Sequence, residues 1–155
     1  MTGSDREFEP GDHFHLGGRN AEYLEVWVLS RSDAADYWDG NWLGCDVRIS
    51  IGGFRARFPA NFRTNEVESF AEEVRGLHER LSGSARFESM EGQLRLLLEG
   101  DGRGHIRCQG DARDEAGTGN LLKFELELDQ TELFGTMVEL NELLNRYPVR
   151  GSPAA

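Results

Sequence analysis

From Cys45 to Phe58 the chain alternates apolar and polar side chains, interrupted only by Gly52-Gly53. Cys45, Val47, Ile49 and Ile51 hold one phase, with Asp46, Arg48 and Ser50 on the other. Phe54, Ala56 and Phe58 then alternate with Arg55 and Arg57. A period of two sends successive side chains to opposite faces of a strand. A two-residue Gly-Gly connection supplies the positive φ that a tight hairpin demands. Strands that bury one face and wet the other belong to antiparallel sheets, because parallel strands are covered on both faces and read as continuous apolar runs. Pro59 has no N–H to give to a ladder and is expected to close the second strand.

Similar patterning recurs at 23–30, 85–90, 93–99, 104–113 and 121–128, with Leu122, Phe124, Leu126 and Leu128 the most regular set. Glu91-Gly92 and Asp101-Gly102 provide turns that join the later strands into a meander. Two stretches change to the helical period. Val67, Phe70, Ala71, Val74, Leu77 and Leu81 recur at intervals of three and four over 65–82, with Asn65 and Glu68 as the capping pair and Gly83 as the left-handed stop. Leu133, Met137, Leu140, Leu144 and Tyr147 make a second stripe over 130–147, opened by Asp129 or Thr131 with Glu132 and ended by Pro148. The expected fold is α+β: a single antiparallel β-sheet of about six to eight strands with two amphipathic helices packed on one face. One domain is expected over 12–149, with flexible tails at 1–11 and 150–155. No internal repeat is evident between positions 20 and 148.

The chain carries 17 basic and 28 acidic residues, a net charge of −11. That field repels a phosphate backbone, so nucleic acid is not an expected partner, whereas a basic protein is compatible with it. Cys45 and Cys108 sit in the apolar phase of their strands and read as buried free thiols. Met1 to Pro10 lacks both a basic n-region and an apolar h-region, and no stretch approaches the ~20 apolar residues of a membrane span, which points to the cytoplasm.

Chemistry-bearing patterns are few. His13 and His15 straddle Phe14 and would share a face of an extended segment, but two ligands make a poor metal site. No spacing ties His78 or His105 to them, so all four read as surface histidines, and neither metal nor cofactor is expected. Gly100 to Gly104 lacks the Lys-Ser/Thr of a phosphate loop and lies between strands, as a hairpin turn does. Asp33, Asp36, Asp39 and Asn41 miss the alternate-residue spacing of a calcium loop. No serine elbow or Cys–His arrangement is present, and a protein without catalytic function is expected.

One motif stands apart: Asp36-Tyr37-Trp38-Asp39-Gly40-Asn41-Trp42-Leu43, inside an expected loop at 31–44. Trp38 and Trp42 either fold back as lids over the core, with Asp39-Gly40-Asn41 as the turn, or present one or both rings to a partner. The first helix adds an acidic face at Glu66, Glu72, Glu73 and Glu79. Asp36, Tyr37, Trp38, Asp39, Asn41 and Trp42, with those four glutamates, form the candidate partner-binding set.

The aromatic motif after a long strand, Phe70 within an amphipathic helix, and Asp129-Gln130-Thr131 leading to a helix that ends at Tyr147-Pro148-Val149 resemble the WapI family of bacterial immunity proteins. The likeness covers about residues 20–149. It implies a non-enzymatic protein that binds and neutralises a toxin domain, often a nuclease, inside the cell; an acidic inhibitor capping a basic nuclease is consistent with the net charge. It implies no contact residue and no oligomeric state. Two other readings follow from the residues alone. One is a small-molecule or anion binder, or an enzyme, using Arg55, Arg57, Arg95 and Arg107 on the open sheet face; the other is a structural subunit.

Overall fold

A computed structural model describes residues 12–18 and 21–153. The expected tail at 1–11 lies outside the described residues. Among the described residues are eight strands: β1 (His13–Gly17), β2 (Tyr23–Arg31), β3 (Trp42–Ile51), β4 (Phe54–Arg63), β5 (Ser82–Glu88), β6 (Leu94–Asp101), β7 (His105–Arg113) and β8 (Leu121–Asp129). A one-turn helix α1 (Tyr37–Gly40) precedes β3, and two 17-residue helices, α2 (Thr64–Arg80) and α3 (Gln130–Arg146), follow β4 and β8 without a loop.

The strands form two antiparallel sheets of four, β1-β2-β3-β4 and β5-β6-β7-β8, and not the single sheet expected. Alternation reports which face of a strand is buried but not which neighbour it pairs with. The break comes where β4 runs straight into α2: the chain leaves the sheet at its edge and starts a second meander. Each half is therefore four strands and a 17-residue helix, the first half also holding the single turn α1. The helices exchange places, α2 packing mainly along β5 and α3 along β1, while also packing on each other. Neither helix is confined to the apolar face of one common sheet, as the sequence had suggested.

No repeat is obvious in the sequence, yet the closing strand and helix of each unit correspond position for position at an offset of 66 residues, α2 starting at Thr64 and α3 at Gln130. Phe58, Ala60 and Phe62 correspond to Phe124, Leu126 and Leu128, and all six are buried. Val67, Val74 and Leu77 correspond to Leu133, Leu140 and Leu143, also buried. Burial pattern, rather than identity, is what the two halves share. Phe14, Phe62, Phe70 and Phe87, drawn from β1, β4, α2 and β5, meet with ring centroids 5.1–6.3 Å apart at the centre of one continuous core. Phe87 meets Phe62 and Phe70 edge to face, at interplanar angles of 84° and 77°, which adds to the burial of each ring.

Local chemistry moves several expected boundaries. Pro59 does not end β4, which continues to Arg63. Because β4 is the outer strand of its sheet, the proline nitrogen can face away from β3, and its carbonyl accepts from the buried Gln93 side chain at 3.1 Å. Helix α2 is capped by Arg63 and Glu66, with the Arg63 amide donating to Glu66 Oε1 at 2.7 Å, and not by Asn65 and Glu68. It ends at Leu81, in the left-handed region at φ 60°, two residues before the expected glycine. The Asp129–Glu132 capping box of α3 forms as read, with each side chain accepting the other's backbone amide.

Candidate interaction site

The aromatic motif is not an open loop. Asp36 caps a single helical turn by accepting from the Asp39 amide at 3.2 Å, and the Gly40 amide closes the turn on the Asp36 carbonyl at 2.8 Å. Gly40 is required here because a Cβ would press into the Ala34 carbonyl. Asn41, fully buried, uses its whole side-chain amide. Its Nδ2 donates to the carbonyls of Tyr37 and Arg150 (2.8 and 3.0 Å), and its Oδ1 accepts from Arg31 Nη2 and the Arg150 amide (3.0 and 2.8 Å). Trp42 is the first residue of β3.

Arg63, only 2 % exposed at the end of β4, organises the rings. Its guanidinium carbon lies 5.0, 5.5 and 5.7 Å from the ring centroids of Tyr37, Trp38 and Trp42. Its Nη2 also donates to the Tyr37 and Trp38 carbonyls at 2.7 and 3.2 Å. Its Nε is buried without an acceptor, so the aromatic faces supply what compensates the charge on that side. Neither sequence reading of the motif is complete. Tyr37 and Trp42 are half-buried against Arg63, while Trp38 shares the same cation yet stays 57 % exposed. No pattern local to the motif signals Arg63, which follows its last residue, Leu43, by 20 positions and meets it through the β3–β4 hairpin.

The C-terminal segment closes over this turn. Arg150, which the sequence placed in a tail, donates through Nη1 to the carbonyls of Ser32 and Ala34, both at 2.8 Å.

The acidic face of α2 divides. Glu66 accepts the amides of Arg63 and Met90, and burial pushes its carboxyl up despite those two hydrogen bonds. Its role is to fix the helix start. Glu73 accepts the Arg86 amide on β5 at 3.3 Å. Glu72 and Glu79 are exposed.

The four arginines considered for anion binding do not share a sheet. Arg55 and Arg57 belong to β4, Arg95 and Arg107 to the second sheet. Arg57 joins Arg48 on Asp46 Oδ2, each at 3.0 Å, and Arg107 pairs with Glu125 at 2.7 Å. The Arg57 and Arg107 pairs are the expected cross-strand contacts, whereas Arg48 reaches Asp46 along its own strand.

A second constellation joins the two ends of the fold, His13 and His15 of β1 with Glu139 of α3. His13 and His15 are not free surface side chains: His13 Nε2 lies 2.9 Å from Glu139 Oε2, and His15 Nδ1 lies 2.6 Å from Glu139 Oε1. The His15 amide donates to the same Oε1 at 3.0 Å, and Thr136 Oγ1 donates to the His15 carbonyl at 2.7 Å. Helix α3 thereby covers the unpaired edge of β1. Burial opposes ionisation of Glu139, but hydrogen bonds from the two histidines override it and hold the carboxyl at about 2; the same contact raises His15. The His-X-His spacing was visible in the sequence, but its partner was not.

Cys45 and Cys108 are both buried free thiols, as their phase indicated. Among the described residues no helix is long and apolar enough to cross a membrane.

No curated protein matches the chain. The model of the immunity protein WapI-like family matches residues 15–148, which takes in all but the first two residues of β1 and everything from there to the end of α3. The resemblance carried by the aromatic motif and the closing helix thus extends over both halves of the fold, and the chain belongs to the WapI-like immunity protein family.

Proposed function

We propose that this protein neutralises a cognate toxin domain by binding it without turnover, with Trp38 as the anchor of the contact. Trp38 carries this reading. Its ring is 57 % exposed although its backbone is held by Arg63 and its turn is held by Asn41. A large aromatic side chain fixed in place and turned to solvent loses little further freedom on binding, and such rings dominate interface energies. Asp36 and Asp39 flank it, both exposed, and Glu72 and Glu79 extend the acidic character along α2. Together with the net charge of −11, these favour a basic partner such as a nuclease domain, drawn in electrostatically and then seated on the ring.

Binding to the toxin domain encoded beside its gene, and rescue of cells that co-express it, test the reading. Trp38→Ala should weaken binding by more than ~2 kcal/mol while leaving the melting temperature nearly unchanged. Glu72→Lys with Glu79→Lys should slow association and flatten its salt dependence. Full rescue and unaltered affinity in both variants would place the contact elsewhere on the fold.

A further inference from the structure

We propose that His13, His15 and Glu139 form a binding site for a divalent transition-metal ion, zinc being the natural occupant of two imidazoles and one carboxylate. Among the described residues they are the group whose ligand atoms converge, all within 4.8 Å of one another. Residues i and i+2 of a strand project to the same side, so β1 offers both imidazoles to one point, and α3 brings the carboxylate to it.

The site is already ordered. His13 stacks on Trp27 with ring centroids 4.0 Å apart and an interplanar angle of 15°, and the Trp27 indole donates to Glu25. Glu139 is oriented by the His15 amide. Such supporting contacts are what hold metal ligands in a productive geometry. The three side chains retain 24, 35 and 19 % exposure, which leaves a route for the ion and room for water as a fourth ligand. A tetrahedral zinc about 2.1 Å from each ligand atom separates those atoms by roughly 3.4 Å. The observed 2.6 and 2.9 Å between histidine nitrogens and Glu139 oxygens must therefore open by less than an ångström, within the reach of part-exposed side chains. Glu25 and Glu132 add negative potential around His15, which favours a cation.

The other half of the molecule isolates the histidines as the added feature. Glu73 occupies the position in α2 that Glu139 occupies in α3, and it too accepts a backbone amide from the edge strand it packs along, that of Arg86. There the edge is capped by the glutamate with no imidazole in place. Covering a strand edge does not require the two histidines, so their convergence on Glu139 calls for a different explanation.

Titration of the full, untagged chain with Zn²⁺ tests the site, followed by calorimetry and by the melting temperature, and with Co²⁺ as a spectroscopic probe of ligand number. One equivalent should bind, raise the melting temperature and, for Co²⁺, give a visible band of a low-coordinate nitrogen-oxygen site. Loss of a supporting contact alone weakens metal sites 10–100-fold, so Glu139→Gln and His15→Ala should each weaken binding at least about 10-fold. Glu139→Gln keeps an oxygen that can accept the His15 amide, and therefore decides the matter even if a histidine variant fails to fold. Absence of binding at millimolar Zn²⁺, or affinity unchanged in Glu139→Gln, would overturn the assignment.

Discussion

Glu73 and Glu139 are each the tenth residue of a 17-residue helix, and each accepts a backbone amide from the first strand of the opposite half. The pair expresses how the two units lock together. Each four-stranded meander leaves its first strand with an open edge, and each unit's helix crosses to cover the edge of the other. An uncovered edge is a template for unwanted strand pairing. The exchange removes that hazard twice and ties residues far apart in sequence into one core.

Arg63 is expected to hold the aromatic turn. Replacing it with Met removes the Arg63 donor from the Trp38 carbonyl, leaves the Tyr37 carbonyl with Asn41 Nδ2 alone, and takes the cation from the three rings, at a cost of about 3 kcal/mol. Arg63→Lys keeps the charge but not the planar fork, and should lose roughly half of that. Urea unfolding measures both, with near-ultraviolet circular dichroism reporting the tryptophans. A loss under ~0.5 kcal/mol for Arg63→Met would show that the turn is held by other contacts.

Asn41→Ala should be destabilising by about 2–4 kcal/mol, because it removes a fully buried amide and takes a partner from part-buried groups on Tyr37, Arg31 and Arg150 at once. It should also release the segment after Pro148, seen as faster proteolytic trimming of the C-terminus than in the parent. Unchanged trimming would mean that the Arg150 side chain alone retains that segment.

The ring of Phe124 lies over Gly110, so closely that a Cβ there would collide with it. Gly110→Ala is accordingly expected to cost about 1–3 kcal/mol by displacing the ring, and Phe124→Ala about 3–5 kcal/mol through lost burial and a cavity. In a double variant the two losses should not add, since without the ring the new methyl meets open space. Additive melting shifts would contradict the proposed contact.

Burial pushes the thiols of Cys45 and Cys108 up to about 12. At pH 8 both are neutral and enclosed, so labelling of the native protein should be slow and limited by unfolding. Raised folded-state values also set a sign. Above the ordinary thiol value of 9.0 the unfolded chain ionises while the folded one does not, so stability falls as pH climbs towards 12. Each thiol contributes up to about 1.4 kcal/mol per pH unit in that window. A Cys45→Ala, Cys108→Ala variant should lose stability less steeply there. An identical slope would place the pH dependence on other groups.

The sequence by itself determined the elements. The period of two marked seven of the eight strands, the 3.6 period marked both long helices, and Asp129 with Glu132 marked the start of α3, because these signals depend only on neighbours a few positions away. It also placed both cysteines inside and picked out the aromatic motif and the family likeness. It missed β1, whose five residues are too few to show a period. Tertiary structure alone decided the split into two sheets, since pairing partners are a long-range choice that alternation leaves open. It alone decided that Trp38 stays exposed around a buried arginine, while Tyr37 and Trp42 turn inward. It alone joined His13 and His15 to Glu139. Cation–π, strand-edge and ligand contacts act between side chains brought within a few ångströms by the whole fold, and no local spacing encodes them.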